Sequence, residues 1–232
     1  MERMSRFSLH PYTPVEAVTR GTGERPMYEV RTTKGMIITQ TVFHATNAYA
    51  GNICPDLQGS KGVFGVKAHM LAVQPNVSGC NSQLLHTFGY ADCWHYLHQR
   101  PNLGPFMYGL ADAEILNDYD DTVTLPGDHP VRERMTRFLE RVFPNWFEDI
   151  EVAQSVTHDW TGIQGLTMSG SSIVGRPTKD SPGEFCSVGH NGEGMGRCFS
   201  LATVATHALL AYVNDQSYTL PEWFPRDYGR NI

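Results

Sequence analysis

The stretch "FCSVGHNGEGMGRCFSLATVATHALLAYV", residues 185–213, is typical of a short strand, a glycine-rich loop and a long apolar helix. Glycines let a loop approach a ligand closely, because no Cβ atom stands in the way. The N–H groups and dipole at a helix start stabilise the negative charge of a nucleotide phosphate or an electron-rich ring. Since the spacing is not G-x-G-x-x-G, this stretch alone also fits an ordinary tight connection.

The chain on either side of this stretch is rich in strand patterns. Residues 28–33 and 36–44 flank Lys34 and Gly35, which predicts a hairpin. Residues 62–75 predict a strand, 95–110 predict two strands around a turn, and 156–175 predict two short strands. Residues 131–142 have apolar side chains at helical spacing. This order predicts an α+β fold with one amphipathic helix besides the last one.

The composition is that of an ordinary globular protein, with 41% hydrophobic and 18% charged residues among 232. A formal charge of −6 argues against nucleic acid as a partner. The five cysteines form no C-x-x-C pair, which predicts a reducing, cytoplasmic location without a disulfide framework. The apolar run 201–213 is too short to cross a membrane. No metal site is predicted, since His95 and His98 would point to opposite faces of a strand.

Four stretches together resemble one enzyme superfamily: "FSLHPYTPVEAV" (7–18), "TTKGMIITQTVFHATNAYAGNICPDL" (32–57), "WTGIQGLTMSGSSIVGRP" (160–177) and "VGHNGEGMGRCFSLATVATHALL" (188–210). They resemble the C-terminal two-thirds of the FAD-dependent oxidoreductases related to D-amino-acid oxidase, glycine oxidase and sarcosine oxidase. The resemblance is strongest to the fungal, γ-glutamylputrescine-oxidase-like branch. A weaker fifth match is "HYLHQRPNLGPFMYG" (95–109).

The resemblance implies FAD as the cofactor and a division into parts. Residues 1–58 and 185–215 correspond to a partial, Rossmann-like FAD-binding domain. Residues 59–184 correspond to a mostly antiparallel substrate domain, followed by an irregular tail at 216–232. The implied contacts are Val15 with the adenine, a corner beside the pyrophosphate, and a loop over the pyrimidine side of the flavin. The corner comprises Ala45, Thr46 and Asn47, and the loop comprises Gly189, His190, Asn191, Gly192, Gly194 and Met195.

The substrate region departs from the pattern of the amino-acid oxidases. Trp160 and Gly162 match it, but Gln164 stands where those enzymes have the arginine that grips a carboxylate. Glutamine cannot neutralise a carboxylate, so an amine without a nearby carboxylate is the expected substrate. Arg100 is the remaining candidate for an anionic group, and the alternative is a structural arginine that pairs across strands. Tyr108 and Trp160 are candidates for the core or for the wall of a substrate pocket.

The expected activity is therefore oxidation of a C–N bond in an amine or amino-acid-like molecule, with hydride passing to FAD. No side chain stands out as the catalytic acid or base. The family's N-terminal G-x-G-x-x-G region is absent from the 232 residues, which predicts a truncated chain. The alternative is a non-catalytic remnant or a binding or scaffolding module. Self-association or a loop rearrangement is expected to cover the apolar face of the last helix. A companion N-terminal chain is the other expected partner.

Overall fold

A computed structural model describes residues 7–76, 83–90, 95–111, 130–147 and 151–232. The chain divides into two compact units, Met1–Phe64 with Gly165–Ile232, and Gly65–Gln164. The sequence instead places the boundaries at 58/59 and 184/185. Residues 165–184 belong to the first unit because they carry a strand, Ile173–Gly175, that pairs with Glu184–Val188 in the same sheet.

The first unit begins with a three-stranded antiparallel sheet in the order β1-β2-β3. Its strands are β1 (Val15–Arg20), β2 (Tyr28–Thr32) and β3 (Gly35–Thr39). The predicted hairpin is present, and its turn lies at Thr33 and Lys34. The run 36–44 is not one strand, because it leaves this sheet after Thr39 and continues as β4 (Val42–His44) in a second sheet.

The second sheet of the first unit has the order β12-β10-β11-β4. It contains β10 (Ile173–Gly175), β11 (Glu184–Val188) and β12 (Gly229–Arg230), so the predicted irregular tail includes a short strand. β11 runs antiparallel to β10 and parallel to β4. α1 (Ala50–Ile53) follows β4, and α3 (Gly194–Val213) follows β11.

Neighbouring residues of β10 supply two separate cores, because successive side chains of a strand point to opposite faces. Val174 packs with Leu201, Val204 and Ala205 of α3 and with Phe224. Ile173 packs on the other face, with a group around α1 and β11 that includes Ala50, Cys54, Leu57, Val63, Cys186 and Val188. The sheet is therefore covered on both faces.

The second unit is a five-stranded sheet in the order β6-β7-β8-β5-β9. The strands are β5 (Phe64–Val73), β6 (Phe88–Tyr90), β7 (His95–Gln99), β8 (Phe106–Leu110) and β9 (Val156–Leu166). The β6–β7, β7–β8 and β5–β8 pairs are antiparallel. The predicted strands at 62–75 and 95–110 are confirmed, and so is α2 (Pro130–Val142).

α2 packs its apolar face in the core of the second unit. Val131, Met135 and Leu139 are buried there, one and two helical turns apart, together with side chains of β5 and β8. The chain therefore combines helices with largely antiparallel sheets, which confirms the α+β class. Among the described residues, no helix is long and apolar enough to cross a membrane.

Candidate functional site

Three segments that the sequence analysis singled out meet in the first unit, at 45–48, 165–167 and 189–191. We call this meeting point the loop junction. Asn47 lies at its centre, where its Oδ1 accepts hydrogen bonds from the N–H groups of Gly189 at 2.9 Å and His190 at 3.5 Å. Its backbone has φ +44°, a left-handed conformation that asparagine tolerates better than most residues.

Asn191 ties the third segment into the junction. Its Oδ1 accepts the N–H of Thr167 at 2.8 Å, and its Nδ2 donates to the carbonyl of Gly189 at 2.7 Å. Its own N–H donates to the carbonyl of Gly165 at 3.1 Å. Both asparagine side chains are thus used to hold loops to one another. The Asn-Gly pair at 191–192 is a turn signal that predicts this bend.

The junction is packed too closely for larger residues at two glycines. A Cβ atom on Gly165 would stand 2.6 Å from Asn47 Oδ1 and 2.8 Å from the backbone nitrogen of Ala48. A Cβ atom on Gly189 would stand 2.6 Å from Cγ2 of Thr167, and this residue also has φ +70°. These glycines allow protein segments to approach each other. Neither leaves room for a ligand.

The start of α3 is open instead. A Cβ atom on Gly196 would meet no other atom within 4 Å, and the Met195 side chain is 98% exposed. The N-cap residue Glu193 makes no side-chain capping bond, and its carboxylate forms an ion pair with Arg197. The glycine-rich loop therefore has a buried half, at Gly189, and an accessible half from Gly192 to Gly196 that a flat ring could approach.

His190 joins the two halves of this loop. Its Nδ1 lies 3.3 Å from the hydroxyl of Ser172, and its side chain is half-buried. Burial lowers the pKa of His190, and the nearby Arg197 guanidinium lowers it further. The imidazole is therefore neutral at physiological pH and can accept or donate one hydrogen bond at each nitrogen.

The other predicted FAD contacts differ in their exposure and in the elements that carry them. Ala45 and Thr46 are exposed between β4 and Asn47. Val15 is 38% exposed at the start of β1, in the three-stranded sheet. Each of these contacts stays a prediction.

A cavity of about 350 Å³ adjoins the junction at Thr167. Its wall includes Lys61, Arg230 and Asp227 together with several serine hydroxyls. Arg230 is held in place by donating to the carbonyls of Lys61 and Asp56, and Ser171 donates to Asp227 at 2.5 Å. The volume suits a small ligand or part of a larger one. No sequence pattern indicates this cavity, because its wall combines segments from three distant parts of the chain.

Two of the predicted substrate residues, Tyr108 and Gln164, are already engaged within the second unit. Tyr108 has no exposed surface, and its hydroxyl lies 2.5 Å from Nδ1 of His95. Burial raises the pKa of Tyr108 and lowers that of His95. Tyr108 is thus a core residue in this structure. Gln164 donates from Nε2 to the hydroxyl of Tyr96 at 3.3 Å.

The two remaining candidates lie at different places in the same unit. Trp160 is 38% exposed on β9. Arg100 is exposed in the turn between β7 and β8, where its N–H bonds the carbonyl of Pro105 at 3.0 Å. Gln164 lies beside Tyr96. Tyr96 is four residues before Arg100, which directly follows β7, so the backbones of Tyr96 and Arg100 are about 13 Å apart if the chain is extended, and Gln164 and Arg100 do not meet at one point. Their roles toward a substrate stay predictions.

The sequence analysis also missed a buried polar cluster in the first unit. Nε2 of His44 lies 2.8 Å from Oε2 of Glu184, and the thiol of Cys54 lies beside them. Burial, followed by the charge of Glu184, raises the pKa of Cys54 to about 11. No local pattern in the sequence indicates this cluster, because His44 and Glu184 are 140 positions apart.

No protein-family profile and no curated protein matches the sequence. Solved structures do match. Glycine oxidase from Geobacillus kaustophilus superposes with a TM-score of 0.67 at 17% identity, over 96% of this chain and 52% of that enzyme. This chain has a glycine-oxidase-like fold.

Other solved structures match in the same way. L-proline dehydrogenase from P. horikoshii gives a TM-score of 0.58 at 20% identity, over 90% of this chain and 51% of that protein. Amadoriase I from Aspergillus fumigatus, a fructosyl amine:oxygen oxidoreductase, gives 0.62 at 12% identity, over 93% and 48%. The chain therefore spans about half the length of the proteins it matches. These superpositions support the fold. The fungal branch stays a prediction.

Proposed function

We propose that this chain forms the flavin-facing loop and the substrate sheet of an FAD-dependent oxidoreductase acting on the C–N bond of a small amine. The loop junction is the observation that carries the proposal. It joins the two segments that the resemblance assigns to FAD contacts, at 45–47 and 189–191, to a third, 165–167, from the region assigned to the substrate. The side chains of Asn47 and Asn191 make these connections. The glycine-oxidase-like fold supports the same conclusion.

The residues present fit a flavin at the start of α3. Gly194 and Gly196 add no side chains to this first turn, the Cβ position of Gly196 is open, and the helix dipole favours negative charge there. When bound, FAD would supply the electron acceptor for the amine carbon. The chain's own contribution is to hold the 189–196 loop rigid and to offer backbone N–H groups to the ring. His190 lies in the same loop, and its Nδ1 is 3.3 Å from the hydroxyl of Ser172.

No G-x-G-x-x-G motif for the pyrophosphate occurs in the 232 residues. We propose that a companion polypeptide segment supplies it. A binding or scaffolding module without catalysis is the second candidate function, because the missing fingerprint removes the usual grip on FAD. Amine-dependent reduction of the flavin separates the two candidates.

The substrate class follows from Gln164. A neutral amide, already donating to Tyr96, offers no positive charge to a carboxylate. We propose an amine without an α-carboxylate as the substrate. Gln164→Arg is expected to raise the preference for amino acids over amines. An unchanged preference in an active holoenzyme would contradict this assignment.

The deciding experiment is a titration of the purified chain with FAD, followed by flavin fluorescence. We expect saturable quenching that Gly196→Leu weakens at least about tenfold, because the new side chain fills the open approach to α3. Thr206→Leu is the matched control, since Thr206 is exposed on the same helix farther from the loop. The absence of a saturable signal up to roughly 1 mM FAD would refute the proposal that the loop of this chain contacts the flavin on its own.

A further inference from the structure

His44, Cys54 and Glu184 bring three different metal-binding groups together inside the first unit. Their exposed fractions are 3%, 5% and 7%. One ligand atom from each, an imidazole nitrogen, a sulphur and a carboxylate oxygen, lie within 4.8 Å of one another. Among the described residues, these three form the one group of at least three histidine, cysteine or acidic side chains that is close enough to surround an ion.

The backbone explains why these side chains meet. β4 and β11 run parallel, with His44 beside Cys186 and Glu184 beside Val42. Cys54 follows directly after α1, on the face of the sheet where the core around Ala50 and Leu57 lies. The N–H of Leu57 donates to the carbonyl of Cys54 at 2.9 Å, which fixes the turn that carries the thiol.

The donor set matches zinc. Zn²⁺ takes thiolate, imidazole and carboxylate ligands in a tetrahedron at about 2.0–2.3 Å, which places the ligand atoms roughly 3.3–3.7 Å apart. The present atoms reach this arrangement with shifts of roughly 1 Å, as the 2.8 Å His44–Glu184 contact opens and the sulphur moves inward. Three protein ligands leave one position for water.

Charge balance is an independent reason to expect a divalent ion at this site. A thiolate and a carboxylate carry two negative charges, and a divalent ion with a neutral imidazole cancels them. Such a site is electrically neutral, so it avoids the penalty for leaving net charge in an apolar core. The alternative use of these residues is a hydrogen-bonded His44–Glu184 pair with a protonated Cys54 and no ion.

We propose that the first unit binds one zinc-class divalent ion through His44 Nε2, Cys54 Sγ and a carboxylate oxygen of Glu184. The ion would hold three protein segments together. It joins β4, α1 and β11, and the segment 45–48 of the loop junction follows His44 directly. This site requires no flavin, so its test is independent of the proposed function.

The test is a titration of tag-free, chelator-treated protein with Co²⁺, which replaces zinc and reports a thiolate ligand as a charge-transfer band in the near ultraviolet. We expect one ion per chain, and a rise in the thermal unfolding midpoint of several degrees when Zn²⁺ is added. Cys54→Ser should abolish the band, and Glu184→Gln should raise the Kd at least about tenfold. Cys198→Ser, which removes an exposed thiol, is the matched control and should leave both unchanged.

A variant that keeps the core intact covers the case in which Cys54→Ser does not fold. Cys80, Cys93 and Cys198 are replaced by serine together, so that Cys54 and Cys186 are the thiols left. The band should persist in this variant at one ion per chain. The proposal is overturned if the wild-type protein shows no charge-transfer band, or if the band disappears in this triple variant or in Cys198→Ser.

Discussion

Replacing Asn47 tests whether one side chain holds the loop junction together. Asn47→Ala removes the acceptor of the Gly189 N–H, which leaves a buried donor without a partner at a cost of about 1–3 kcal/mol. Alanine must also adopt the left-handed backbone at residue 47, which adds about 1 kcal/mol or slightly more. We therefore expect Asn47→Ala to lower the free energy of unfolding of the first unit by about 2–4 kcal/mol.

Two further variants separate these contributions. Asn47→Gly loses the same hydrogen bonds without the left-handed strain, so it should be more stable than Asn47→Ala by about 1 kcal/mol. Asn52→Ala is the matched control, because Asn52 is exposed in α1 and should change stability by less than about 0.5 kcal/mol. Comparing Asn47→Ala with Asn47→Gly therefore separates the contribution of the side-chain hydrogen bonds from that of the backbone strain.

Amide hydrogen exchange gives a local readout at the junction itself. A loss of 2–4 kcal/mol corresponds to roughly 30- to 1,000-fold faster exchange of the Gly189 amide if it exchanges through opening of the first unit. Urea unfolding supplies the total free energy. Two results would contradict this expectation. One is a Gly189 amide that exchanges at the wild-type rate in Asn47→Ala, and the other is a free energy of unfolding within about 0.5 kcal/mol of the wild-type value.

Three other predictions concern packing, pH and association. Gly165→Ala should lower stability by about 1–3 kcal/mol in urea unfolding, because its Cβ would meet Asn47 and the Ala48 backbone, whereas Gly162→Ala on the same strand meets nothing and should not. Because burial lowers the pKa of His95, the unfolded state binds more protons below the ordinary histidine pKa of about 6.5, so stability should fall as the pH drops through that value. His95→Gln should flatten this dependence while His98→Gln, at an exposed position, should not, as judged by urea midpoints between mildly alkaline and mildly acid pH. Phe199, 86% exposed on α3, should promote self-association, and an unaltered mass of Phe199→Asp in light scattering at high concentration would contradict this.

Sequence patterns within single segments were sufficient to predict much of the fold. The strand, loop and helix over 185–213 follow from glycine spacing and an apolar run, and α2 follows from its periodicity between Pro130 and Pro144. The split of 36–44 between two sheets was not predictable, because the strand pattern continues across Gln40 and Thr41. Only tertiary contacts show that the chain changes sheets there.

The site was predictable as a set of segments but not as a set of bonds. Asn-Gly and glycine-rich patterns locate the loop at 189–194, yet the partner of its Gly189 N–H is 142 positions away at Asn47. The cluster of His44, Cys54 and Glu184 could not be predicted for the same reason, because its histidine and its glutamate come from strands that become neighbours only in the folded sheet. Tyr108 was predicted as either a core residue or a pocket wall, because sequence alone does not reveal burial, and in the structure it lies in the core.

The discontinuity of the first unit has a consequence for biosynthesis. Residues 65–164 leave the ribosome as one uninterrupted segment, so the second unit can complete its sheet while translation continues. The first unit must wait, since β4 emerges long before β11 and their pairing closes a loop of well over a hundred residues. During that interval the early strands need protection from misassembly, and chaperone demand should therefore concentrate on the nascent N-terminal segment.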